Sequence, residues 1–129
     1  MPKLLNILIL THNLALKTQN FHWNVQGSNF YSLHKMFEEQ YEEISNSIDE
    51  IAERIRILGD KVPSISQNLE INPNLLPSDM LKNLALDHEN IILQIEDVKK
   101  SSDDVTVDML NERLAAHQKH LWFLRSSFA

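Results

Sequence analysis

The sequence predicts an all-α protein, a four-helix bundle in which a long crossover joins two helical hairpins. Its two glycines, Gly27 and Gly59, each follow a long segment with apolar residues at helical spacing, where a left-handed helix cap belongs. No segment shows the strict alternation of apolar and polar residues that is typical of a strand. The connection from Asp60 to Leu76 is long enough to run the length of a bundle and contains Pro63 and Pro73.

The first hairpin comprises two long helices joined by a short turn. The first helix is predicted from Lys3 to Gln26 and is apolar on more than one face, which suggests that a partner subunit covers part of it. The second helix is predicted from Phe30 to Leu58 because apolar residues recur there three and four positions apart. Since the turn after Gly27 is short, these helices should be antiparallel neighbours.

The second hairpin follows the crossover, in which Ser64 to Glu70 could form a short helix. The third helix is predicted to begin after Leu76-Pro77-Ser78 and to run to about Lys100. The fourth is predicted to begin after Ser101-Ser102-Asp103-Asp104. Together the elements give one domain, residues 1–129.

Composition excludes several classes of protein. The chain has 129 residues, no cysteine and a formal net charge of −6, so disulfides and thiolate metal sites are excluded. An acidic chain is a poor partner for nucleic acid or for an anionic membrane. The N-terminal residues lack a signal-peptide cleavage pattern, and no apolar run is long enough to cross a bilayer. We therefore expect a cytoplasmic protein that does not contact membranes.

Polar residues on the second helix form a candidate metal site. His34 and Glu38 are four residues apart, as are Asp49 and Glu53, so each pair shares a face. His34 and Glu53 lie roughly 28 Å apart along one helix, too far to share an ion. Two copies packed antiparallel about a two-fold axis would bring the pairs together and give two equal sites. The axis would then pass near Glu43 and Ile44.

His22 lies near the end of the first helix and can join His34 across the short turn. Imidazole and carboxylate together suit iron, zinc or manganese. Carboxylates on a long helix are also common as a solvated face, and this alternative stays open from spacing alone. An intrachain di-iron site is disfavoured, since no glutamate has a histidine three residues later.

Two segments of the chain resemble the Dps family, the miniferritins. They are FHWNVQGSNFYSLHKMFEEQYEEISNSIDEIAERIRILG and HQKHLWFLRSSFA. The resemblance implies a ferritin-like four-helix bundle and a hollow homododecameric shell. It also implies ferroxidase centres at the two-fold interfaces, which oxidise Fe²⁺, preferably with hydrogen peroxide rather than O₂, and pass ferric iron to a mineral core. Zinc or another divalent metal could occupy the same centres.

The resemblance also implies roles for individual residues. His22, His34 and Glu38 would come from one subunit, and Asp49 and Glu53 from its partner. Trp23 and Trp122 would lie near the centre and absorb stray oxidising equivalents, although packing is an equally good explanation for Trp122. Asp104 and Asp108 would line a three-fold pore that attracts cations, whereas acids at this position could simply cap the fourth helix.

Other features have simpler explanations or remain open. His88 and His117 fall on apolar stripes, so we expect buried, hydrogen-bonded histidines rather than a second metal site. His12 and His120 show no pattern. Lys3 is the only basic residue before Lys17, so DNA binding by a lysine-rich extension is not expected. The alternatives to a ferroxidase are a DNA-associated shell and a non-catalytic shell.

Overall fold

A computed structural model of the chain describes residues 2–65 and 69–128, and these residues form five α-helices. The helices are α1 (Pro2–Asn24), α2 (Phe30–Asn46), α3 (Ile48–Ile57), α4 (Pro77–Lys99) and α5 (Asp104–Phe128). No strand occurs within the described ranges. Because α2 and α3 are one bent helix, the arrangement is the predicted four-helix bundle. Among the described helices, none is long and apolar enough to span a bilayer.

A tight turn joins α1 to α2. The helix α1 ends two residues before the predicted boundary, and Val25 N–H still donates to the carbonyl of Phe21 at 3.0 Å. Gly27 has a φ of 115°, a conformation that residues with a Cβ rarely adopt. The carbonyl of Gly27 accepts a bond from Phe30 N–H at 3.1 Å, which directs the chain into α2. This turn places the end of α1 beside the start of α2.

The predicted second helix is bent at Ser47. The Ser47 hydroxyl donates to the carbonyl of Ile44 at 2.6 Å, and Ser47 N–H donates to the same carbonyl at 3.1 Å. These two bonds occupy the acceptor that Ile48 N–H would use in a regular α-helix. The helix therefore continues in a changed direction as α3, which ends before Gly59.

The crossover from Asp60 to Leu76 is irregular where it is described. The short helix that the sequence predicts between Ser64 and Glu70 falls partly on residues 66–68, which lie outside the described residues. Residues 61–65 and 69–72 on either side have no helical structure. Pro77 then begins α4 in the first turn, where the missing N–H has no effect on helical bonds.

The core lies between the two hairpins. α1 packs against α2, α4 packs against α5, and α1 also contacts α3 and α4. Leu16 on α1 is 41% exposed and Leu5 is only partly buried, in keeping with the several apolar faces of this helix. The largest fully buried side chains come from all five helices: Leu4, Ile7, Leu8, Phe21, Phe37, Ile44, Ile51, Ile55, Met80, Leu84, Ile91 and Ile95, with Leu110 and Leu124 on α5.

Candidate functional site

The turn between α1 and α2 brings His22 and His34 into direct contact. His22 Nδ1 lies 2.8 Å from the carbonyl oxygen of His34, and His34 Nδ1 lies 2.7 Å from the carbonyl oxygen of His22. The two rings stack, with centroids 3.9 Å apart and planes inclined at 21°. A carbonyl can only accept, so each Nδ1 carries the proton that it donates. In the neutral form of each ring, Nε2 then carries no proton and can serve as a metal ligand.

Glu38 completes a three-residue group on the same surface. It lies one turn after His34, and its Oε2 is 3.7 Å from His22 Nε2. One ligand atom from each of His22, His34 and Glu38 lies within 4.8 Å of the others. Across residues 2–65 and 69–128, this is the one group of three or more histidine or acidic side chains with such spacing. Lys35 also reaches Glu38, at 3.5 Å.

Two aromatic side chains flank the histidine pair. Phe30 stacks on the second face of His34, with centroids 4.9 Å apart and planes inclined at 25°. The His34 ring is thus held between Phe30 and His22. On the other side, the Tyr41 ring lies 6.0 Å from that of His22. These rings restrict the orientation of both imidazoles without using their Nε2 atoms.

Asp49 and Glu53 lie in α3 and do not join this group within the chain. Both side chains are exposed. They stand roughly 22 and 28 Å along the helix axis from His34, at 1.5 Å per residue. One chain therefore brings together His22, His34 and Glu38 but not the two acids. Their participation requires a partner subunit and stays a prediction.

Glu43 and Ile44, at the midpoint between the two pairs, do not face the same way as His34. Ile44 is fully buried in the core, and Glu43 bonds to α5. At 100° per residue, Tyr41 and Ser45 are the nearby residues that share the face of His34. A two-fold contact at this height would therefore use Tyr41 and Ser45.

The predicted aromatic residues lie at the surface of the subunit. Trp23 directly follows His22 and is 63% exposed, and Trp122 on α5 is 64% exposed. The Trp122 ring contacts Phe123, with centroids 5.1 Å apart. Their predicted roles near a metal centre stay predictions.

The acidic residues at the start of α5 differ in their contacts. Asp104 and Asp108 are exposed, as a pore lining requires. Asp103 instead accepts a hydrogen bond from Thr106 and one from Arg54 Nη2 at 2.9 Å. The bond from Thr106, followed by the charge of Arg54, lowers the pKa of Asp103. Asp103 therefore ties α5 to α3, and the pore role of Asp104 and Asp108 stays a prediction.

A second group of polar side chains lies inside the bundle. His88 and His117 are fully buried, and their Nδ1 atoms are 3.0 Å apart, which confirms the expectation of buried, hydrogen-bonded histidines. His120 lies beside them and bonds through Nε2 to Glu43 Oε1 at 2.7 Å. Arg113 forms an ion pair with the same carboxylate. No pattern in the sequence indicated the contacts of His120, Arg113 and Glu43.

Burial and charge shift the pKa values in this group. Burial alone would raise the pKa of Glu43, but the bonds from His120 and Arg113 outweigh it and bring that pKa to about 2. Burial, together with the charges of His120 and Arg113, lowers the pKa of His88 to about 3. Burial likewise holds the pKa of His117 well below its usual value. Glu43 is thus ionised and both buried histidines are neutral at pH 7.

Known proteins resemble this chain in fold and in sequence. A family profile for the ferritin-like domain matches residues 3–129. DNA protection during starvation protein 2 of Bacillus anthracis is 36% identical over 124 residues, which cover 88% of this chain and 85% of that protein. The crystal structure of Dps from Staphylococcus aureus superposes with a TM-score of 0.90 at 32% identity, over 99% of this chain and 93% of that one.

A more distant structure shows the breadth of the fold. The Dps protein of Vibrio cholerae, a member of a broad superfamily of ferritin-like diiron-carboxylate proteins, superposes with a TM-score of 0.89 at 24% identity, covering 99% of this chain and 87% of that one. That likeness concerns the fold alone. The family profile that matches residues 3–129 and the Dps relatives above 30% identity show the family as well as the fold. The chain belongs to the Dps family of ferritin-like proteins.

Proposed function

We propose that the protein is a ferroxidase and iron-storage subunit that oxidises Fe²⁺, preferably with hydrogen peroxide, and stores ferric iron in a homododecameric shell. It would thereby remove the two reactants that generate damaging radicals. The observation that carries this proposal is the reciprocal bonding of His22 and His34. Both Nε2 lone pairs are preset beside the Glu38 carboxylate before any metal arrives.

The donor set suits iron as a substrate in both oxidation states. Imidazole nitrogen is a good ligand for Fe²⁺, and carboxylate oxygen is a good ligand for Fe³⁺. Asp49 and Glu53 of a partner would add two carboxylates to the His22, His34 and Glu38 group. Few ligands from each chain would leave positions open for oxidant and water, so that the product could depart.

Two irons acting together can supply both electrons that peroxide needs. The balanced reaction is 2 Fe²⁺ + H₂O₂ + 2 H₂O → 2 FeOOH + 4 H⁺, in which the O–O bond breaks without releasing a one-electron product. Trp23 and Trp122 would supply an electron if only one iron were bound. Asp104 and Asp108 would attract Fe²⁺ to a pore through their negative charge. Zinc would compete for the same ligands without reacting, because it has no redox chemistry.

Anaerobic Fe²⁺ titration, followed by addition of peroxide and by measurement of the shell mass, tests the proposal. Asp49→Ala and Glu53→Ala should slow oxidation while the shell still assembles, since both side chains are exposed and leave the core intact. Glu50→Ala is the matched control, because Glu50 is exposed on α3 but points away from the face of His34. Normal oxidation in both acid variants would place the centre elsewhere. An assembled wild-type shell that oxidises no iron would favour the non-catalytic alternative.

A further inference from the structure

The iron chemistry proposed above does not use the polar group in the bundle core. We name this group the core histidine cluster: His88 of α4, Arg113, His117 and His120 of α5, and Glu43 of α2. His88 and His117 are fully buried, and Arg113 and His120 are nearly so. The cluster connects three helices, and α2 among them also carries His34 and Glu38.

The directions of the hydrogen bonds fix the protonation of the two buried histidines. Arg113 can only donate, and its Nη2 lies 3.4 Å from His117 Nε2, so that nitrogen must be an acceptor. The proton of His117 is then on Nδ1 and is donated to His88 Nδ1 at 3.0 Å. A second proton on His117 would remove the acceptor for Arg113. A second proton on His88 would place two N–H groups against each other.

Charge opposes protonation as well. The charged groups that act on His88 and His117 are Arg113, His120 and Glu43. Glu43 is already committed to both Arg113 and His120, so it has little capacity to neutralise another cation. Glu39 and Lys119 line the adjoining groove between α2 and α5, which has a volume of about 230 Å³. The Arg113 guanidinium contacts both His117 and Glu43.

We propose that the core histidine cluster is an acid-responsive lock, in which protonation of His88 or His117 separates α5 from α4 and, through Arg113 and Glu43, releases α2. Polar bonds from the cluster cross between α2 and α5: Glu43 with Arg113 and His120, and Gln40 Nε2 donating to the His120 carbonyl at 3.3 Å. Loss of the lock would disturb the helix that carries His34 and Glu38. Only the effect on His34 and Glu38 as iron ligands rests on the proposed iron chemistry.

The sign of the pH dependence follows from the lowered pKa values of His88 and His117. An unfolded chain takes up protons at both residues as the pH falls through about 6.5, whereas the folded chain does not. The stability from this difference is complete above that pH and is lost as the pH falls, with the loss at His88 extending to a pH of about 3. Between pH 7 and pH 5, the unfolding equilibrium constant should rise about 25-fold for each histidine, or about 600-fold for both.

The test compares the wild-type shell with a His88→Leu/His117→Leu variant, in which leucine fills a similar volume without titrating. The midpoint of acid unfolding is followed by tryptophan fluorescence, with the particle mass measured in parallel. We expect the variant midpoint to fall by at least about one pH unit relative to wild type. His12→Gln is the control, since His12 lies half-buried on α1 outside the cluster. Equal midpoints for wild type and the double variant would overturn the proposal.

A second variant allows the proposal to be tested even if the double variant does not fold at pH 7. Glu43→Gln removes the carboxylate that bonds to both Arg113 and His120, so the cluster becomes more positive. The acid midpoint should therefore rise, in the direction opposite to that of the leucine variant. An unchanged or lower midpoint for Glu43→Gln would contradict the proposal. Neither measurement involves iron, so both stand even if the protein oxidises none.

Discussion

A subunit-mixing experiment would decide whether the iron centre is shared between chains. One parent carries His22→Ala and His34→Ala and keeps its acids; the other carries Asp49→Ala and Glu53→Ala and keeps its histidines. Each parent shell alone should be inactive, because every interface lacks one half of the ligands. A mixed dimer contains one complete site, formed by the intact histidines of one chain and the intact acids of the other. Its second site lacks both histidines as well as Asp49 and Glu53.

The expected recovery of the oxidation rate follows from the number of complete sites in the mixed shells. Random assembly of equal amounts makes half of the dimers mixed, and each mixed dimer has one working site of two. Peroxide-driven oxidation should therefore recover to about a quarter of the wild-type rate per subunit. The prediction depends on the roughly 22 to 28 Å that separates His34 from the two acids along the helix.

The assay uses two affinity tags to isolate co-expressed mixed shells and follows ferric iron by its absorbance after addition of peroxide. Shells that contain only one parent type are purified in the same way as controls. Activity near zero in the mixed shells, alongside two inactive parents, would show that both halves act within one chain. Activity in either parent shell alone would show that its substituted residues are not ligands.

Three further predictions concern the site, the core and the surface. Phe30→Leu should weaken binding of redox-inert Co²⁺ about 10-fold, because the His34 ring loses the side chain that stacks on it. Tyr31→Leu, at a position that is 74% exposed, is the control and should not weaken binding. Equal Co²⁺ affinities of the two variants on titration calorimetry would contradict this prediction. Arg113→Met should lower the free energy of unfolding in urea by about 2 kcal/mol. The loss of free energy is limited because Glu43 is partly exposed to solvent. An unchanged urea midpoint would show that the ion pair between Arg113 and Glu43 contributes nothing to stability. With a subunit charge of −6, the assembled protein should not retard plasmid DNA in a gel at neutral pH and moderate salt, and retardation would reveal a basic patch formed by assembly.

The helices and the contact between His22 and His34 could be predicted because both depend on local signals. Apolar spacing sets the helical faces, and Gly27 marks a turn too short for any arrangement except an antiparallel pair. The reciprocal Nδ1 bonds could not be predicted, because they require two backbone carbonyls whose positions depend on the closed turn. The bend at Ser47 was also missed, since a serine within a helix does not reveal where its hydroxyl will bond.

The core histidine cluster shows a different limit. The bond between His120 and Glu43 joins residues 77 positions apart, on helices separated by the long crossover. Their meeting depends on how far each helix is rotated about its own axis, and the apolar stripe fixes that rotation only approximately. The pattern predicted that His88 and His117 would be buried, but the identity of their charged neighbours required the assembled bundle.

The bend at Ser47 makes the long helix two rigid arms, one bearing His34 and Glu38 and the other bearing Asp49 and Glu53. Glu53 lies about 9 Å beyond Ser47, so a change of about 10° at the bend would displace it by about 1.6 Å relative to the first arm. Metal ligands tolerate errors of only about 0.2 Å. In a two-fold dimer, the same displacement would occur at both sites at once. Ser47, which contacts no metal itself, would therefore set the distance between the two groups of ligands that must bind the metals.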